Sequence, residues 1–142
     1  MKSRYEGIQN YIMHADESCF FLSLLSVAEE ERERRGLSPV KVDFLDAVRV
    51  CMDRGWLKND FTVLDDCAIL KYLVGVKCTK EVRDHCYALR GCQYSVAKYG
   101  RKVGDGMRTH FRRRYFDVYT DSVTVKEGAL MCYYVYTFKE ED

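Results

Sequence analysis

Residues 19–35 read CFFLSLLSVAEEERERR, and this stretch decides the fold because it predicts one long helix. Polar residues just before it can cap its start, and Gly36 marks its end. Its first half, residues 20–28, is apolar nearly all round, which predicts a helix enclosed by the rest of the protein. Its second half, residues 29–35, is charged and predicts a solvated helix end supported by pairs of opposite charge.

Further helices are predicted on both sides of Gly55. Apolar residues at helical spacing predict one over residues 43–54, ended by that glycine, and a shorter one over residues 65–74. A weaker helical pattern opens at Thr79 and covers the sequence VRDHCYAL. Up to Gly91, the sequence pattern therefore predicts helices only.

From Cys92 onward tyrosine, valine, phenylalanine and threonine dominate, as is typical of β-strands. The predicted strands are CQYSVAKY, RTHFRRRYFDVYT, SVTV and ALMCYYVYTF, separated by the turn sequences GRKVGDG and KEG. Helices first and an antiparallel sheet second indicate an α+β fold. Because the chain shows no repeat or low-complexity linker, we expect residues 1–142 to form a single domain.

The charges nearly cancel, with 23 lysines and arginines against 22 aspartates and glutamates. This balance predicts no overall attraction to nucleic acid or to a membrane surface. Locally, residues 98–114 hold seven basic residues and one acidic residue, whereas residues 117–142 hold six acidic and two basic residues. We expect these two stretches to lie near each other and to neutralise one another.

The seven cysteines are an odd number and include no CxxC pair, which predicts free thiols in a reducing compartment. We therefore expect a cytoplasmic protein. The longest nearly apolar run, residues 19–28, is far shorter than the roughly 20 residues of a membrane-spanning helix. The spacing of Cys78, His85, Cys86 and Cys92 matches none of the compact zinc patterns, so no metal or other cofactor is expected.

Cys19 differs from the other six cysteines because it falls within the first turn of the long helix. Free backbone N–H groups and the positive end of the helix dipole stabilise a thiolate there, and the thiolate is the nucleophilic form of cysteine. The competing interpretation of any single cysteine is inert packing, since free cysteines are among the most buried residues.

His110, in the sequence THFRRRYFD, is the second candidate for chemistry. A two-residue turn at Arg113 and Arg114 places His110 opposite Asp117 in a hairpin. A carboxylate in that position orients the imidazole and favours its cationic form. Because two arginines are poor residues for such a turn, a wider loop with a shifted register is the alternative.

Three short motifs resemble the papain-like cysteine peptidase superfamily. DESCFFLSLLSVAEE is similar to the helix that carries the nucleophile, and THF followed by FDVYTDS resembles the histidine strand and the strand after it. Within the superfamily, the motifs resemble an uncharacterised group from phages, prophages and spirochaete plasmids that is related to bacteriocin-processing peptidases. The resemblance implies a papain-like α+β fold with Cys19 as nucleophile, His110 as base and Asp117 as orienting residue. It also implies an oxyanion-binding glutamine, for which Gln9 is the candidate.

The function implied by the resemblance is acyl transfer on a peptide or protein substrate. A catalytically idle scaffold that binds a partner protein is the second interpretation, with contacts from the arginines at 112–114 or from exposed aromatics such as Tyr133, Tyr134 and Tyr136. The third is a winged-helix nucleic-acid binder, because residues 43–63 show the required helix, glycine and hydrophobic pair. Nucleic acid is the less expected partner, since that helix carries more acidic than basic residues.

Overall fold

The computed structural model describes residues 18–39, 44–114 and 122–140. The helices in these ranges are α1 (Ser18–Arg34), α2 (Phe44–Asp53), α3 (Asp66–Val74) and α4 (Val123–Glu127). The strands are β1 (Cys78–Arg83), β2 (Gln93–Val103), β3 (Gly106–Arg112) and β4 (Ala129–Phe138). Three helices precede a four-stranded antiparallel sheet, which confirms the α+β class and the order of its parts. No helix in the described ranges combines the length and the apolar character needed to cross a membrane.

Helix α1 lies at the centre of the apolar core, as its first half predicts. Phe21, Leu22, Leu24 and Leu25 are fully buried, and they belong to one cluster with side chains from α2, α3 and the sheet. Gly36 follows the helix with a φ of 71°, a conformation that glycine adopts without steric cost.

The charged second half of α1 is only in part the solvated end that its sequence predicts, because most of its residues reach the surface whereas Glu29 and Glu31 do not. Glu29 is only 6% exposed and Glu31 is fully buried. Both oxygens of Glu31 accept hydrogen bonds from Arg34, at 2.7 and 2.8 Å, and Arg35 Nε donates to Oε2 at 2.7 Å. Tyr94 of β2 donates its hydroxyl to Oε1 at 2.8 Å. The prediction was wrong at Glu31 because the sequence shows the local charge pairs, whereas the contact with Tyr94 forms only when the sheet packs against the helix.

The strands of the sheet lie in the order β1-β4-β2-β3. Cys78 to Arg83 of β1 pair with Phe138 to Tyr133 of β4, and β2 forms a hairpin with β3 through a turn at Gly104. In that hairpin His110 lies opposite Tyr99. Strand β3 is therefore an edge strand of the sheet formed by the described residues.

Two predicted elements have the wrong type. The sequence VRDHCYAL, residues 82–89, is not a helix: its first two residues, Val82 and Arg83, end strand β1, which pairs along its whole length with β4, and the remainder is irregular. The sequence SVTV does not form a strand but opens α4, where the Ser122 hydroxyl caps the helix by accepting from Val125 N at 3.4 Å. Helix α4 ends at Gly128, where a Cβ atom would collide with the carbonyl oxygen of Gly100 on β2.

The helical predictions for residues 43–54 and 65–74 are confirmed to within one or two residues. Ala47, Val48 and Cys51 of α2 form the buried stripe that its spacing predicts. The Asp65 carboxylate caps α3 by accepting from Ala68 N at 3.0 Å, and Gly75 ends it with a φ of 93°. These helices have clear caps in the sequence, which is why their bounds could be predicted.

Replacing Glu31 with glutamine is expected to destabilise the fold by about 3 kcal/mol at neutral pH, because a buried charged network loses its acceptor. Burial opposes ionisation, but the hydrogen bonds from Arg34, Arg35 and Tyr94 outweigh it and lower the pKa of Glu31 below its ordinary value of 4.5. The stabilisation is therefore present above pH 4.5 and is lost as the pH falls through the lower pKa of the folded state. Denaturant unfolding of wild type and Glu31→Gln across this range measures the difference.

The matched control is Glu33→Gln, since Glu33 is an exposed glutamate on the same helix. Its substitution is expected to change the free energy of unfolding by less than about 0.5 kcal/mol. A gap between wild type and Glu31→Gln that does not shrink in acid would contradict the assigned role of the carboxylate.

Candidate active site

Cys19 is the second residue of α1, and its thiol is almost completely enclosed, with the residue 3% exposed. No acidic residue stands in the first turn of this helix. A thiolate at this place therefore meets the positive end of the helix dipole without an opposing carboxylate from that turn.

The first turns of α1 dock onto the open edge of β3. Phe111 N–H donates to Cys19 Sγ at 3.5 Å. Ser23 Oγ, which donates to the Cys19 carbonyl oxygen within the helix at 2.8 Å, also lies 3.4 Å from the Phe111 carbonyl oxygen. In an antiparallel strand the N–H and C=O of one residue point to the same side, so both groups of Phe111 point away from β2 and towards the helix. The ring of Phe20 stacks on the Phe111 ring with centroids 4.0 Å apart. Two polar side chains and one aromatic pair thus hold the helix start against this strand.

This docking brings His110 to the thiol. The N–H that Cys19 accepts belongs to the residue directly after His110, so the His110 Cα lies within about 6 Å of Sγ by standard backbone geometry. His110 is itself buried, with 4% of its surface exposed. The structure therefore places the backbone of the candidate base near the candidate nucleophile, while the pairing of the imidazole with the thiol stays a prediction.

Asp117 and Gln9 lie outside the described residues. Their roles as orienting residue and oxyanion-binding residue stay predictions. In the pairing of β3 with β2, the residue opposite His110 is Tyr99.

A second group of polar side chains, not predicted from the sequence, surrounds Asp66 at the start of α3. Asp66 Oδ2 accepts from the hydroxyl of Tyr136 at 2.7 Å and pairs with Lys80 Nζ at 3.0 Å. Beside it, the Cys78 thiol of β1 hydrogen-bonds to Cys67 and lowers the pKa of Cys67. The sequence DDC at residues 65–67 carries a signal for this group, since it places a cysteine in the first turn of a capped helix.

The cysteines consequently differ in their chemistry. Cys51 is fully buried, and burial raises the pKa of its thiol to about 11. Cys67 is only half-buried and has a lowered pKa. The pKa of Cys78 is raised, because Cys78 is hydrogen-bonded to Cys67 and is buried. Cys67 is therefore a thiol that its surroundings favour as a thiolate.

The described residues contain no group of three or more histidine, cysteine, aspartate or glutamate side chains arranged to hold a metal ion. Cys78 contacts Cys67, and His85 stacks on Tyr87 with ring centroids 4.0 Å apart. Cys92 is buried.

Comparison of the chain with protein-family models, with curated proteins and with solved structures finds no match. The function of the protein is therefore inferred from the geometry of its side chains.

We expect iodoacetamide at pH 7 to alkylate Cys67 at least about ten times faster than Cys51, because a thiol with a pKa near 11 is almost entirely protonated at that pH. Peptide mass spectrometry after timed quenching measures both rates in one sample. In the variant Cys78→Ala the hydrogen bond to Cys67 is lost, and alkylation of Cys67 is expected to slow. An unchanged rate in this variant would show that Cys78 does not stabilise the thiolate.

Proposed function

We propose that the protein is a cysteine-dependent acyl-transfer enzyme of papain-like architecture, acting on a peptide, isopeptide or other amide. Cys19 is the nucleophile, His110 the base, Asp117 the orienting residue and Gln9 an oxyanion donor. The observation that carries the proposal is the hydrogen bond from Phe111 N–H to Cys19 Sγ, which holds a thiol at a helix start beside the backbone of the histidine. The motif resemblance to phage and prophage proteins supports an origin in a mobile element, and the free cysteines support a cytoplasmic location.

Two electropositive groups of the protein are directed at Sγ. A backbone N–H that donates to sulfur binds the thiolate more strongly than the thiol, because hydrogen bonds to charged acceptors are stronger. The start of a 17-residue helix adds its dipole to the same atom. Both groups are held by the fold before any substrate binds, so stabilising the charge costs no rearrangement.

The reaction proceeds in two steps. His110 takes the proton from Cys19 Sγ, the thiolate attacks the carbonyl carbon, and the carbonyl oxygen becomes an oxyanion near the N–H groups at the helix start. When the tetrahedral intermediate collapses, the C–N bond breaks and His110 protonates the departing amine. Water or a second amine, deprotonated by His110, then attacks the thioester and releases Cys19.

Acylation by p-nitrophenyl acetate is expected to release about one equivalent of p-nitrophenolate per chain in a burst, because an activated ester traps the nucleophile without needing the natural amide. Mass spectrometry is expected to find the acetyl group on Cys19. Cys19→Ala is expected to lose the burst, while the control variants Cys51→Ala and Cys67→Ala retain it. A burst that survives in Cys19→Ala, or an acetyl group found on Cys67 alone, would refute the assignment of the nucleophile.

Substituting His110 with glutamine is expected to slow acylation at least about 100-fold, the usual contribution of a general base. The rate of the wild type should follow the ionisation of one imidazole between about pH 5 and 8, and this step should vanish in His110→Gln. Circular dichroism of the variant checks that the fold is retained. An identical pH profile in the two proteins would remove His110 from the mechanism.

A non-catalytic scaffold that binds a partner protein is the second candidate function. It is favoured by the exposure of Met107 and Met131, which are about half exposed and both pack against Gly100. Flexible methionines are common on surfaces that bind proteins. The tyrosines proposed for this role do not fit equally, because Tyr136 is fully buried whereas Tyr133 and Tyr134 are partly exposed.

The structure offers no support for nucleic-acid binding through α2. Arg49 pairs with Asp46 at 2.6 Å and with Asp53 at 3.3 Å, so its charge is neutralised on the helix itself. The basic stretch at 98–114 is also partly neutralised, because Arg101 pairs with Glu127 at 3.8 Å and Arg113 with Glu30 at 3.1 Å. The pair Arg101–Glu127 joins the basic stretch to the acidic residues after 117, as expected. The pair Arg113–Glu30 joins the basic stretch to α1 instead.

A further inference from the structure

The thiols of Cys67 and Cys78 lie in contact where the first turn of α3 packs against β1, and the mechanism proposed above uses neither of them. Cys67 is the second residue of α3, and Cys78 is the first residue of β1. Both are free thiols. Cys78 belongs to the apolar core, whereas Cys67 packs against that core and is only half-buried. This thiol pair therefore reaches solvent through Cys67.

Neighbouring side chains of α3, β1 and β4 hold the thiol pair in position. Successive side chains of a strand point to opposite faces, so Cys78 and Lys80 share one face of β1. Lys80 Nζ pairs with Asp66 Oδ2 at 3.0 Å, and the hydroxyl of Tyr136 donates to the same oxygen at 2.7 Å. Tyr136 lies opposite Lys80 in the pairing of β4 with β1. The face of β1 that carries Cys78 is thereby tied to the residue directly before Cys67.

The two thiols differ in their tendency to ionise. The hydrogen bond from Cys78 is the largest influence on Cys67 and lowers its pKa, and the charge of Lys80 acts in the same direction. Burial and the carboxylates of Asp65 and Asp66 oppose ionisation of Cys67 but do not outweigh these effects. The same hydrogen bond and burial raise the pKa of Cys78. Cys67 is therefore the more nucleophilic thiol, and Cys78 is a protonated thiol in contact with it.

This combination is typical of redox-sensitive cysteines, which have a low pKa, are accessible to solvent and lie next to a second cysteine. Contact is the requirement that most cysteine pairs fail, because cysteines whose Cα atoms lie more than about 7 Å apart cannot be joined without movement of the backbone. Cys51 shows the contrast within this chain, since it is fully buried and its pKa is raised to about 11.

We propose that the thiol pair is a reversible oxidation site, at which a hydroperoxide converts Cys67 and Cys78 into a disulfide. In the first step the Cys67 thiolate attacks one peroxide oxygen, the O–O bond breaks, and hydroxide or alkoxide leaves with the bonding electrons. Cys67 is then a sulfenic acid. In the second step the Cys78 sulfur attacks the Cys67 sulfur, the S–O bond breaks, and the hydroxyl group leaves as water with the proton of the Cys78 thiol. The peroxide gains two electrons, which the two sulfur atoms supply.

The first test is oxidation of the full chain at neutral pH with a small molar excess of hydrogen peroxide. The remaining thiols are then blocked, and the protein is digested with trypsin without reduction. Cleavage after lysine places the two cysteines in separate peptides, residues 59–71 and 78–80. Mass spectrometry is expected to find these peptides joined, without their two thiol hydrogens, and dithiothreitol is expected to separate them. The absence of this joined product would overturn the proposal.

The second test uses the variants Cys78→Ala and Cys67→Ser with dimedone, which labels sulfenic acids. In Cys78→Ala the sulfenic acid of Cys67 has no neighbouring thiol to react with, so dimedone is expected to label Cys67 at least about five times more than in the wild type. The first step is expected to be slower in this variant, so labelling is compared after the reaction is complete. In Cys67→Ser no joined product forms, and the buried Cys78 is expected to stay unlabelled.

The controls are Cys132→Ala and Cys19→Ala. Cys132 is another half-buried cysteine of the sheet, and Cys19 is the candidate nucleophile of the proposed active site. Both variants are expected to form the joined product as the wild type does, which separates this proposal from the one made for Cys19. Circular dichroism checks that all four variants retain the fold.

Three further results would overturn the proposal. The first is equal labelling of Cys67 in the wild type and in Cys78→Ala, which would remove Cys78 from the second step. The second is labelling of Cys78 in folded Cys67→Ser, which would reverse the order of attack. The third is loss of the joined product in Cys132→Ala or Cys19→Ala, which would make a different cysteine the first thiol to react.

Discussion

Enclosure of α1 is the constraint on which the rest of the structure depends. Twelve residues of this helix are buried, and they include Ser18, Ser23, Ser26, Glu29 and Glu31. A polar group removed from water costs free energy unless it forms hydrogen bonds, so the neighbouring elements must supply partners at defined points. Tyr94 meets Glu31 near the end of the helix, Arg113 meets Ser26 in the middle, and Phe111 meets Ser23 near the start. These contacts determine how the sheet lies along the helix.

The same constraint positions the candidate nucleophile. An edge strand exposes backbone groups that must be paired or covered, and at Phe111 they are covered by Cys19 and Ser23, one helical turn apart. The hydrogen bond that completes the edge strand also holds the Cys19 thiol beside the residue that follows His110. One contact therefore serves both the packing of α1 and the chemistry proposed for Cys19.

Prediction succeeded where the determining interactions are local. Gly36, Gly55 and Gly75 end helices because they adopt positive φ, and Asp65 caps α3 through its own carboxylate, so each boundary is encoded within a few residues. Prediction failed at β1 and α4, because their conformations depend on distant partners. Strand β1 is extended since β4, some 50 residues later, pairs with it, and α4 ends where Gly128 closely approaches the backbone of Gly100. The valines and threonine of α4 favour a strand by propensity, which this tertiary contact and the Ser122 cap override.

The sequence by itself determined the α+β class, the central helix and the selection of Cys19 and His110, because apolar periodicity, helix-ending glycines and residue chemistry are all local properties. Only the tertiary structure decided that Glu31 in the charged half of α1 is buried under Tyr94, that the Cys19 thiol accepts a hydrogen bond from β3, and that Cys67 lies against Cys78. These features arise from residues far apart in the chain, and their proximity depends on strand order and register, which no local pattern encodes.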